Sequence, residues 1–86
     1  MHEMAVALEI CRIAEEQAGA AGAARVVTVG VDVGDQSGVE ISSLEFCLSA
    51  LLEQPPFGRA KPVIARPASD ALRVTYLEVD DDRPDD

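Results

Sequence analysis

RVVTVGVDV, residues 25–33, decides the fold. Val27, Val29, Val31 and Val33 alternate with Val26, Thr28, Gly30 and Asp32. One face is therefore wholly β-branched and apolar, as a strand lying against a core requires. Upstream, Gly19-Ala20-Ala21-Gly22 interrupts any regular pattern, and glycine is the usual residue past a helix end because it accepts the left-handed conformation found there. Before that break, residues 4–18 have helical spacing. Glu9, Arg12, Glu15 and Glu16 fall on one face, and Met4, Val6, Leu8, Ile10, Cys11 and Ile13 cover the rest.

Downstream of the strand, Gly34-Asp35-Gln36-Ser37-Gly38 is turn chemistry, and Ser37 with Glu40 fits a capping box at a helix start. The spacing predicts a second helix over residues 39–52, with Ile41, Leu44, Leu48, Leu51 and Leu52 as its buried stripe. Pro55-Pro56 ends it, since proline cannot continue a helix. Residues 61–66 predict a short strand and residues 71–79 a longer one. The short link Pro67-Ala68-Ser69-Asp70 suggests that these two form an antiparallel hairpin. The order helix, strand, helix, strand, strand predicts an α/β two-layer sandwich, two helices packed on a three-stranded sheet.

A chain of 86 residues is one domain, and with two Phe and one Tyr its core must be aliphatic. The formal net charge of −9 argues against nucleic acid, whose binding needs a basic patch, and against an anionic membrane surface. Residues 1–80 are expected to fold and residues 81–86 to form an acidic disordered tail. Cys11 and Cys47 form no CxxC and read as reduced, buried small hydrophobes. No run approaches the roughly 20 apolar residues of a membrane span, and no signal peptide is evident, so the expected location is cytoplasmic. Tyr76 reads as half-buried packing. Phe57 reads as an exposed loop aromatic, serving either as a lid on the core edge or as a partner contact.

His2 is the sole histidine. In second position it groups three nitrogens: the α-amine of Met1, the backbone nitrogen of residue 2 and an imidazole nitrogen. Nitrogen-rich square-planar sites suit Ni(II) or Cu(II), and the intrinsic order favours copper. The amine and the imidazole both lose protons near neutral pH at modest cost. Glu3 adds a backbone or carboxylate donor. No phosphate loop, Ser-His-Asp set or second histidine is present, so no nucleophile with an activating base can be assembled and an enzyme is not expected.

Met1-His2-Glu3-Met4, the helix, Val29-Gly30-Val31-Asp32-Val33-Gly34 and Ser37-Gly38-Val39-Glu40 together resemble the HypA/HybF family of hydrogenase nickel-incorporation proteins. Leu44-Glu45-Phe46, Leu72-Arg73-Val74 and Leu77-Glu78-Val79 extend the resemblance to roughly residue 80. Ile41 stands where the family commonly has proline. The resemblance implies a nickel metallochaperone that takes Ni(II) through the N-terminal amine, His2 and the Glu3 region. It also implies hand-off to a hydrogenase large-subunit precursor, in concert with the nickel-delivering maturation GTPase. It places Glu40 near the metal; Asp35, in the same loop, is a weaker candidate that it does not single out.

The family carries a zinc domain with two CxxC pairs between its last two strands. Here Pro67-Ala68-Ser69-Asp70 occupies that place, so the expected cofactor is Ni(II), with no zinc. A reading of another class is a metal-independent adaptor or docking subunit of a hydrogenase or its maturation complex, with Phe57 as an anchor.

Overall fold

The computed structural model describes residues 2–23 and 25–80. Met1 and the predicted acidic tail lie outside them. Helix α1 (Glu3–Ala20) is followed by strand β1 (Arg25–Val33), helix α2 (Ile41–Leu51), strand β2 (Lys61–Ala65) and strand β3 (Leu72–Asp80). The helices pack on the mixed sheet as the sequence predicts, in a two-layer sandwich. The core is aliphatic: Leu44, Leu48 and Leu52 from the second helical segment meet Val26, Val29, Val31 and Val33 of β1, all almost fully buried.

Three details differ from the sequence reading. The first is strand order, which is β2-β1-β3: β1 is parallel to β2 and antiparallel to β3, so β2 and β3 form no hairpin. The valine-rich strand is buried along most of its length and takes the centre. The α2 crossover then makes β2 parallel to it. Residues 66–71 pass over the carboxyl end of β1 to reach its other side. There the Gly34 N–H donates to the Ala71 carbonyl (2.7 Å), Asp35 N–H to Pro67 (2.9 Å) and Gln36 N–H to Ser69 (2.9 Å). Arg66 Nε donates to the Val33 carbonyl at 2.8 Å. The crossing is so close that a Cβ on Gly34 would sit 1.9 Å from the Ser69 carbonyl oxygen.

The second difference concerns the face of Val27. The pairing steps from Val26–Val79 to Thr28–Glu78, which leaves Val27 as the extra residue of a β-bulge. The bulge turns Val26 into the core and leaves Val27 exposed. A second irregularity leaves Thr75 unpaired between Tyr76 and Val74. Tyr76 stands opposite Gly30, its ring occupying the space a Cβ would take, which agrees with half-buried packing.

The third is the composition of the packed faces. α1 buries Ala7, Ile10, Cys11, Ala14 and Ala18, whereas Met4 and Leu8 are exposed. The small side chains let the helix approach closely, and simple apolar periodicity underweights alanine. Phe57 is buried and closes the core edge as a lid, not as an exposed loop aromatic; Phe46 on α2 is the exposed aromatic, at 77%.

Candidate functional site

The carboxyl end of β1 leads into the turn that starts α2. Gly38 takes a left-handed φ of 79°, buried Val39 anchors the segment, and Ser37 Oγ accepts a bond from Val39 N–H (3.3 Å). The predicted capping box is replaced by a simpler arrangement. Glu40 is itself the N-cap, its carboxylate accepting from Ser42 N–H (3.2 Å) and Ser43 N–H (2.9 Å). A carboxylate here satisfies orphan donors and lies favourably against the helix dipole.

α1 starts at the same end of the molecule. His2 is its N-cap residue, in extended conformation; the imidazole makes no capping bond and is exposed. Glu3 follows in the first helical turn. Its carboxylate Oε2 accepts from the Glu40 backbone N–H at 3.0 Å, across 37 residues of sequence. That bond holds the Glu3 carboxyl below the usual carboxylate range. The starts of the two helices are thus pinned together, with His2 one residue from the pin. Of the residues singled out in the sequence, Glu3 meets the Glu40 backbone here, and His2 adjoins Glu3 in sequence with its side chain exposed. Asp35 is exposed in the adjoining loop, where its N–H serves the β1 crossing. The contributions of Ser42 and Ser43 are through backbone N–H groups, which residue identity does not announce.

Among the described residues no group of three or more His, Cys, Asp or Glu side chains converges. Cys11 and Cys47 are free thiols on different helices. Burial, with a smaller effect from Glu15, pushes the Cys11 thiol up in pKa, so it stays protonated and is a poor ligand at neutral pH. On the outer face of α1, Arg12 bridges Glu9 (2.6 Å) and Glu16 (2.9 Å), a solvated ladder of small energetic weight. No described helix is long and apolar enough to cross a membrane.

Fold and site define a small two-layer α/β domain whose distinctive chemistry collects where its two helices begin. The chain belongs to the HypA family, described as hydrogenase/urease nickel incorporation, metallochaperone, whose model matches residues 1–72. The hydrogenase maturation factor HypA of Chlorobaculum parvum is 39% identical over 64 residues, covering 74% of this chain and 57% of that protein. Its namesake from Prosthecochloris aestuarii is 35% identical over 72 residues, covering 84% and 64%. The chain spans about half the length of most of the curated relatives it matches. The solution structure of the Ni metallochaperone HypA from Helicobacter pylori superimposes with a TM-score of 0.78 at 17% identity, covering 92% of this chain and 97% of that one; the fold is shared.

Proposed function

We propose that this chain is a nickel-binding accessory protein of [NiFe]-hydrogenase maturation, acting in the cytoplasm without catalysing a reaction. Ni(II), its cargo, is captured by the Met1 amine, the backbone nitrogens that follow and the His2 imidazole. Glu3 and Glu40 hold the triplet in place. The ion then passes to a hydrogenase large-subunit precursor with the help of the maturation GTPase. Protonation or displacement of the terminal amine opens the planar site and favours release. Zinc has no part in this reading.

The observation that carries the proposal is the 3.0 Å bond from Glu40 N–H to Glu3, which docks the N-terminal segment while leaving the imidazole of His2 exposed. Family membership supports nickel as the metal. The test is calorimetric titration of Ni(II) into the untagged chain and into His2→Ala. Wild type should bind far more tightly, and an N-terminal extension should abolish binding; equal affinities for wild type and His2→Ala sink the proposal.

A metal-independent adaptor keeps one observation in its favour, the 77% exposure of Phe46 on α2. Co-purification with a hydrogenase large subunit under chelator, unaffected by His2→Ala but lost in Phe46→Ala, would favour it.

A further inference from the structure

The helices cover one face of the sheet and leave the other open. On β2, Ile64 packs against the core, so Lys61, Val63 and Ala65 alternate onto the open face. The register sets Val63 level with Gly30, and Gly30 level with Tyr76. The Tyr76 ring fills the space a Gly30 Cβ would take, so it lies over the central strand. Val63 and Tyr76, 45% and 44% exposed, thus end an apolar row that runs across the sheet. The next row, toward the start of β1, is Lys61, Thr28 and Glu78.

The cations of the chain are unevenly engaged. Arg12 is held by Glu9 and Glu16, Arg25 by Asp80 and Arg73 by Asp32. Arg66 donates to the Val33 and Gly34 carbonyls. Arg59 and Lys61 are exposed and form no ion pair among the described residues. Arg59 is fixed by its backbone: its φ is 77°, its N–H donates to the Leu52 carbonyl at 2.8 Å, and Phe57 and Ala60 nearby are buried. Glycine takes this left-handed conformation at less cost, so an arginine here carries its charge against a backbone preference.

We infer that the open face docks a segment of a partner protein in which a carboxylate stands beside an apolar side chain. The carboxylate meets Lys61 and Arg59, and the apolar side chain lies on Val63 and the Tyr76 ring. Lys61 and Val63 are two residues apart on one strand, roughly 7 Å, which is also the spacing of residues i and i+2 in an extended segment. Charge complementarity selects the acid. Glu78 lies two strand spacings from Lys61, roughly 10 Å, so it steers the carboxylate to the β2 side. The net charge of −9 opposes an acidic partner at long range, but screening beyond about 8 Å leaves the two local cations to decide the contact. Neither His2 nor Glu3 takes part.

The experiment selects a phage-displayed library of random short peptides on the immobilised full chain, then measures the enriched peptides by fluorescence anisotropy. They should carry Asp or Glu two residues from an apolar or aromatic residue. Lys61→Glu and Val63→Asp should each weaken them several-fold, and added salt should do the same. Arg59→Gly removes the charge while relieving the left-handed backbone. It should therefore melt no earlier than wild type by circular dichroism, yet bind several-fold more weakly. A library that yields no binder overturns the inference, as do enriched peptides that lack acidic residues. So do acidic peptides whose affinity Lys61→Glu and Arg59→Gly leave unchanged. Binding that appears only once residues 81–86 are removed would give the cations to the chain's own aspartates and also overturn it. His2→Ala should leave peptide binding unchanged, which separates this result from nickel binding; a loss in that variant would move the site to the N-terminus and sink the inference.

Discussion

Glu3 accepts its hydrogen bond through one carboxylate oxygen, and an amide oxygen does the same work. Glu3→Gln is therefore expected to keep the N-terminal segment docked and to bind Ni(II) with affinity close to wild type. Glu3→Ala loses the acceptor, leaves Glu40 N–H to solvent and should weaken nickel several-fold by freeing the segment. Calorimetry on the two variants separates the roles: equal losses for Gln and Ala would mean that the carboxylate contacts the metal directly. At this scale the sequence is informative about identity and silent about partnership. His2 is legible because one histidine in second position has a known coordination chemistry. The Glu3–Glu40 contact joins residues 37 apart, and no local pattern links them. Ser37 and Glu40 look like a capping box, yet Gly38 and Val39 carry the chain through a turn first, and Glu40 ends up as the cap itself.

The elements themselves are legible, because burying one face imposes a period of 3.6 or 2 on the residues. Ile41, Leu44, Leu48, Leu51 and Leu52 form the stripe of α2 as their spacing predicts. The order of strands is not encoded that way. A short link between two strands suggests a hairpin, but residues 66–71 instead cross the end of β1, which only tertiary contact with Gly34 makes possible. Glycine substitutions test this. In Gly34→Ala the new Cβ meets backbone at 1.9 Å, and neither chain segment can yield without breaking the crossing bonds. A loss of about 3 kcal/mol or more is expected, in the range of the named severe mechanisms. Gly22→Ala has open space and only a left-handed φ of 69° to accommodate, so it should lose about 1 kcal/mol. Urea unfolding of both variants checks the ranking; a mild Gly34→Ala would show that the crossing is loose. The bulge at Val27 has the same lesson. Strict alternation assigns Val27 to the core, and one unpaired residue reverses the assignment.

For the molecule as a whole, the proposed nickel site and the fold are linked through a single point. A ligand stabilises a protein by RT ln(1 + [L]/Kd) only when the unfolded chain does not bind it. The Met1 amine, the following backbone nitrogens and the His2 imidazole are adjacent in sequence, so unfolding leaves the chelate intact. What the folded state adds is the docking of Glu3 on Glu40. Nickel should accordingly raise the melting temperature far less than its measured affinity would give for a site that unfolding destroys. At a free concentration about 100 times Kd, that full linkage would be about 2.7 kcal/mol, or roughly 10–20 °C for a domain of this size. The expected shift is a few degrees in wild type, falling further in Glu3→Ala, whose nickel site is equally local whether the chain is folded or not. Scanning calorimetry with and without nickel, set beside the titration affinity, decides the matter. A shift equal to the full linkage would require a donor from beyond the first three residues; for Glu40 to supply it, its carboxylate would have to leave the Ser42 and Ser43 N–H groups it caps.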